Sequence, residues 1–318
     1  MRERVIFPAV LAAALAVSVG LLYPRLRSRL DAPPPEPPPV ELPPPPAPEP
    51  APAPPPPPPP PPPSYVRVDP AAATACKPGM VLVDGVYCPF VAHRCTSFLV
   101  EERDVCQSFA PEVLCEGALQ RRRFCMDIHE YPNLEGVRPA VTVDYNDARR
   151  ACAVEKKRLC LAEEWEFACE GPQMWPYPYG SERDPARCNI DKPQATPELD
   201  ALSDAGAIPA DSERLDQRVA SGAMPGCVSP FGVRDMTGNV DEWVENRNGK
   251  RLEQPFRSGL KGGHWGPVRA RCRPMTTSYS ERFRFYQAGF RCCSDAKGGR
   301  AVSRSPITRP RQRPPDRP

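Results

Sequence analysis

The sequence predicts an α+β domain, loop-rich and cross-linked by disulfides. Three observations predict it. All fourteen cysteines lie between Cys76 and Cys293. Short runs with strand character alternate with two amphipathic helical stripes. The stretch from Pro172 to Pro230 is dense in Pro, Gly, Asp and Ser and reads mainly as loop. An even cysteine count points to paired thiols, and so to an oxidising compartment. No CxxC pair and no Cys/His zinc spacing is present, and the only histidines are His93, His129 and His264.

Residues 1–30 read as a membrane anchor. Val5 to Tyr23 is apolar, broken only by Pro8, Ser18 and Gly20. As a helix rising ~1.5 Å per residue, it crosses a ~30 Å hydrocarbon core. The run passes directly into Arg25, Arg27 and Arg29 rather than into a small-residue cleavage site, which favours an uncleaved signal anchor with a single span. Arg2 and Arg4 precede it, so the positive-inside rule slightly favours a cytoplasmic C-terminus. The cysteines favour the opposite side, and they outweigh a difference of one charge. The expected location of the C-terminal domain is the periplasm or the extracellular space.

Residues 31–64 form a spacer. From Pro33 to Pro63, 23 of 31 residues are proline. Such a segment adopts polyproline II and reaches about 95 Å at ~3.1 Å per residue. The main domain follows at 65–293, with a cysteine-rich first part at 65–125, and a basic tail, read as disordered, closes the chain at 294–318.

Within the domain, Met80–Val83 and Ala140–Val143 read as short strands. Asn146–Val154 reads as a helix. Leu161, Trp165, Ala168 and Cys169 mark a second helix, with Gly171 as its stop. Glu163 and Glu164 fall in its first turn, where they suit the helix dipole and read as solvated. The formal net charge of +3 gives no reason to expect a nucleic-acid partner. No G-x-S-x-G elbow, phosphate loop or H-E-x-x-H motif is present.

Six blocks in order carry a resemblance: Val143–Ala148, Lys157–Ala168, Tyr177–Gly180, Phe231–Trp243, Lys261–Trp265 and Gly289–Cys292. The opening Gly79–Gly85 fits as well. Together they resemble the formylglycine-generating enzyme, or sulfatase-modifying factor, family, in a divergent bacterial-type form. The resemblance implies that family's fold, a loop-rich relative of the C-type lectin domain. It also implies an oxidase that converts a sulfatase cysteine to formylglycine with oxygen and copper(I) held by two cysteines. Soft thiolates suit copper(I).

This chain departs from that pattern where the copper ligands belong. Counted from Gly262, the first catalytic position is Pro267 and the second is Cys272. A second alignment matches Arg269-Ala270-Arg271-Cys272 to a family stretch whose cysteine is structural. Either way one copper thiolate is missing, and copper is not expected. His264 replaces the family's serine, and with Cys272 it is the remaining catalytic candidate. The family's disulfides, carried over by position, imply Cys169–Cys272 and Cys152–Cys292. Cys188–Cys227 is a further expected pair. Cys76, Cys88, Cys95, Cys106, Cys115 and Cys125 are expected to pair largely among themselves.

The family also wraps calcium. The matching positions are Asp235, Gly238, Val240 and Glu242, with Asp241 where the family carries tryptophan. Asn189 and Ile190 open a second calcium site. Hard oxygen ligands suit that ion. Two functions follow. One is a membrane-anchored pseudoenzyme that binds an envelope protein or a glycan, with the 172–230 loop as candidate surface. The alternative is a divergent formylglycine-generating oxidoreductase.

Overall fold

The computed structural model describes residues 72–100, 105–196, 208–247 and 256–298. The expected anchor, the proline spacer and the tail beyond residue 298 lie outside these. Among the described residues no helix is long and apolar enough to cross a membrane.

Two four-stranded sheets organise the domain. The first comprises β1 (Met80–Tyr87), β6 (Gln120–Asp127), β7 (Arg158–Leu159) and β12 (Cys292–Asp295), in the order β1-β6-β12-β7. The β1–β6 pair runs antiparallel from Met80 opposite Asp127 to Tyr87 opposite Gln120. The second sheet is β10 (Met275–Thr276), β9 (Ser258–Lys261), β8 (Asp241–Glu245) and β11 (Ala288–Phe290), in the order β10-β9-β8-β11, with β11 parallel to β8. Two small antiparallel pairs complete the cysteine-rich part: β2 (Val91–Ala92) with β5 (Leu114–Cys115), and β3 (Cys95–Val100) with β4 (Val105–Phe109).

The helices obey their local signals. A short α1 covers Ala72–Ala75. In α2 (Tyr145–Val154), Asp144 caps the Asp147 N–H while Asp147 reaches back to the Asp144 N–H, a reciprocal capping box. In α3 (Ala162–Glu170) the cap is Leu161, which has no polar side chain, so Glu164 supplies the carboxylate by accepting the Leu161 N–H at 3.0 Å. Gly171 stops this helix at φ 67°. The same Glu164 receives both terminal nitrogens of Arg158 at 2.7 Å.

Several expectations therefore change. Glu163 and Glu164 are not solvated: they are 8% and 2% exposed, because α3 is packed on nearly all sides. Ala140–Val143 forms no strand. Thr142 sits at φ 60°, a left-handed conformation that breaks an extended run, and its N–H goes to the Phe285 carbonyl. The 172–230 loop contains a helix, α4 (Ile208–Leu215), in which Arg214 pairs with Asp211 one turn back. Strand β12 continues to Asp295, with Ser294 and Asp295 paired to β6.

All fourteen cysteines are joined in seven disulfides, with none free. The amino-terminal six pair as Cys76–Cys125, Cys88–Cys115 and Cys95–Cys106. The adjacent Cys292 and Cys293 take different partners because successive strand residues point to opposite faces. Cys292 reaches Cys152 of α2 within the cluster around Trp243, Leu260 and Phe290. Cys293 reaches Cys160 within the cluster around Trp165, Phe167 and Phe124. Cys169–Cys272 ties α3 to the segment before β10, and Cys188–Cys227 closes the long loop.

Candidate functional site

The segment between β9 and β10, Gly262 to Pro274, lies over the start of β8. Gly262 and Gly263 both adopt positive φ, and a Cβ on Gly262 would stand 3.0 Å from the Met236 carbonyl oxygen. This turn directs His264, Pro267 and Val268 into a cavity of about 320 Å³ with Asp241, Leu260, Gln287 and the aromatic segment Tyr279–Phe285. Asp241, His264 and Pro267, three departures from the family pattern, thus line a single cavity. Cys272 does not line it: its sulfur is bonded to Cys169 and fully buried. The residue counted from Gly262 as a second copper ligand is therefore in a disulfide and the first is a proline, so the described lining of the cavity holds no thiolate pair.

Asp241 accepts the Gly263 N–H at 2.9 Å, and no cation pairs with it among the described residues. Burial, with Glu242 beside it, pushes the Asp241 carboxyl up to about 7 despite that hydrogen bond. The His264 Nδ1 accepts the Gly266 N–H at 3.0 Å, which assigns the ring proton to Nε2. Burial lowers the His264 imidazole to about 4, so it is neutral at pH 7.

The Asp241 shift has a measurable sign. Its folded pKa exceeds the unfolded value of ~3.9, so the folded protein keeps a proton that the unfolded chain releases. That stabilisation is complete below about pH 4 and is lost as pH rises through about 7. Asp241→Asn suffers no such loss. Its thermal midpoint, relative to wild type, should climb between pH 4 and 8, and a pH-independent difference would refute this assignment.

Across the Arg269–Pro274 segment lies a second, larger groove of about 820 Å³, lined among others by Tyr87, His93, Glu163, Arg271 and Arg273. Its floor is locked. Arg273 grips Glu170 at 2.6 and 2.5 Å, and Lys261 reaches Glu166 at 2.7 Å. Burial pushes the Glu170 carboxyl up to about 7, against the pull of Arg273.

The expected calcium residues come together around a buried charge cluster. Both Glu242 oxygens are held by Arg291 at 2.7 Å, and one also accepts the Trp165 Nε1–H at 2.8 Å. Asp235 accepts the Gly222 N–H, and burial lifts its carboxyl to about 6. Glu130 is fully buried beside them and held by Asn239 and Ser221. Burial, with Asp235 and Glu242 adding to it, raises the Glu130 carboxyl well above the usual range.

Gly238 sits at φ 79° with the Asn189 carbonyl packed against it. A Cβ there would meet that oxygen at 2.3 Å. The two expected calcium sets are thus neighbours, joined by Asn189 Nδ2 donating to Asn239 Oδ1 at 3.0 Å.

Their donor chemistry differs. Glu242 has no free oxygen, so the first set does not fit a calcium site that uses its carboxylate. No group of three or more His, Cys, Asp or Glu among the described residues is arranged to hold a metal. At the second set, the Asn189 Oδ1 is buried and accepts no hydrogen bond, which is the condition an oxygen-seeking cation would relieve. Ile190 is buried next to it. Glu130, Gln287 and Arg291 are site residues that the pattern reading missed. Only Arg291 left a signal, a charge set between Phe290 and Cys292 at the junction of β11 and β12.

A two-sheet α+β body, stapled by seven disulfides and carrying a cavity under a twin-glycine turn, defines the class: a formylglycine-generating-enzyme-like domain with the C-type lectin relationship of that fold. The chain belongs to the sulfatase-modifying factor enzyme 1-like domain family, whose match covers residues 100–296. It is similar to the inactive C-alpha-formylglycine-generating enzyme 2 of Bos taurus, with 31% identity over 173 residues, 50% of each chain. The Mus musculus protein of the same name is 30% identical over 178 residues, 50% of this chain and 49% of its own. The chain spans about half the length of these curated relatives. Among solved structures, PvdO from Pseudomonas aeruginosa aligns with a TM-score of 0.45 and 19% identity, over 70% of this chain and all of that one.

Proposed function

We propose that this chain is a pseudoenzyme of the sulfatase-modifying factor family: a binding module without copper oxidase chemistry. One observation carries the reading. The positions that would hold copper(I) are Pro267 and a Cys272 closed in a disulfide with Cys169. The curated relatives named as inactive support it. The domain would stand outside the cytoplasm on the proline spacer and single-span anchor, and its partner would be an envelope protein or a glycan.

The test is alkylation of the unreduced protein followed by peptide mapping, with copper(I) titration on the same sample. We expect no alkylated thiol, no stoichiometric copper(I), and no conversion of a sulfatase-type cysteine peptide. Formylglycine in that peptide would sink the reading and restore the oxidoreductase alternative.

We further propose structural calcium at Asn189 and Ile190, supported by the orphaned Asn189 Oδ1. Chelation should lower the thermal midpoint of the wild type and leave Asn189→Ala unmoved. An identical response from both proteins would exclude this site.

A further inference from the structure

We propose that the cavity between Asp241 and the aromatic segment binds a pyranose ring of an uncharged saccharide. This rests on the binding-module reading and names the ligand class of its cavity. At about 320 Å³ the cavity is within the range of small-molecule sites.

Its polar groups are complementary to hydroxyls. Asp241 is an acceptor whose carboxylate has a single protein partner, the Gly263 N–H. His264 presents Nε2–H, a donor with no protein acceptor among the described residues, since Nδ1 is taken by Gly266. Gln287 is 8% exposed and lines the same cavity with an amide that both donates and accepts.

Arg269 also lines the cavity, but an anionic ligand would still meet the Asp241 carboxylate as it ionises through about pH 7. A purely apolar one would leave three desolvated polar groups unmatched, at about 1–3 kcal/mol each. Adjacent hydroxyls each donate and accept, so they satisfy an acceptor, a donor and an amide together.

The facing wall is apolar. Leu260, Ala288 and Phe283 form its inner part, and Tyr279 and Phe285, each 40% exposed, form its outer part. Tyr279 stacks on Phe283 at 3.9 Å, and Phe283 on Phe285 at 5.7 Å. The rings are therefore fixed before a ligand arrives, which lowers the ordering cost of binding. A pyranose has this same division, with hydroxyls around its edge and a C–H face for an aromatic ring.

The test is saturation-transfer NMR on the full-length oxidised protein. The probes are methyl glucoside, methyl mannoside, methyl galactoside and N-acetylglucosamine. A sulfatase-type cysteine peptide with copper(I) forms a separate arm. We expect at least one pyranoside to receive saturation, and Asp241→Asn and Gln287→Met each to weaken it roughly ten-fold or more with the disulfide map unchanged.

If no pyranoside is saturated, or if both variants bind as wild type does, the saccharide assignment is overturned. Peptide bound unmodified in this cavity overturns it too, while leaving the binding-module reading intact. Peptide converted to formylglycine instead overturns that parent reading, whatever the saccharides do.

Discussion

Arg291→Met should destabilise the folded domain by about 3–5 kcal/mol, read as a lower denaturant midpoint at unchanged slope. The guanidinium is fully buried and spans Glu242 through Nε and one terminal nitrogen, both at 2.7 Å. It also donates to the carbonyls of Arg234 and Ile128 at 2.9 and 3.2 Å. Methionine fills the volume but supplies neither charge nor donors. Glu242 then keeps only the Trp165 N–H as a partner, while Glu130 and Asp235 lose a positive charge that opposes their desolvation.

The cost is mainly that of leaving carboxylates buried without a cation, rather than the net worth of the ion pair. Two consequences separate these accounts. Arg291→Met combined with Glu242→Met should recover much of the loss, because no uncompensated Glu242 charge remains. The deficit of the single variant should also shrink as pH falls through about 6, since protonating Asp235 removes a charge that needs Arg291. A double variant no more stable than the single, with a pH-independent deficit, would assign the residue a packing role only.

The charge cluster also marks how far the sequence could be read. The fold class was legible because it depends on local signals: the Asn146–Val154 helix, the α3 stripe and its Gly171 stop. That Pro267 and Cys272 stand at the positions counted for the family's thiolates was legible because both are numbered from Gly262. The groups that finish the sites were not. Glu130 meets Asn239 across a separation of 109 residues, and Arg291 meets Glu242 across 49. No periodicity encodes such contacts.

Glu164 shows the same limit at short range. Its place in a first turn is visible, but its burial depends on Arg158 on one side and the Leu161 N–H on the other. Thr142 defeats the strand reading for a related reason, since a β-branched run announces extended backbone until tertiary hydrogen bonds turn one residue to positive φ.

The Cys169–Cys272 bridge should cost less to remove than its sequence span implies. Cys169 and Cys272 are 103 residues apart, and a loop of that length corresponds to about 4.7 kcal/mol in the chain-entropy model. The unfolded chain does not have that freedom while the flanking bridges Cys160–Cys293 and Cys152–Cys292 stay closed. The covalent path then runs 9 residues from Cys160 to Cys169 and 21 from Cys272 to Cys293. A loop of about 30 residues corresponds to about 3.5 kcal/mol.

Cys169→Ala with Cys272→Ala should therefore lose about 3–4 kcal/mol in equilibrium denaturation under oxidising conditions. The same pair should lose roughly 0.7 kcal/mol more once Cys160–Cys293 and Cys152–Cys292 are both replaced as well, because the path then runs 19 residues from Cys169 to Cys188 and 45 from Cys227 to Cys272. The second replacement thus changes the cost of the first, and the losses are coupled through the unfolded state. Strictly additive losses would show that the bridge acts through native packing around Trp165 and Phe167 rather than by restricting the unfolded chain.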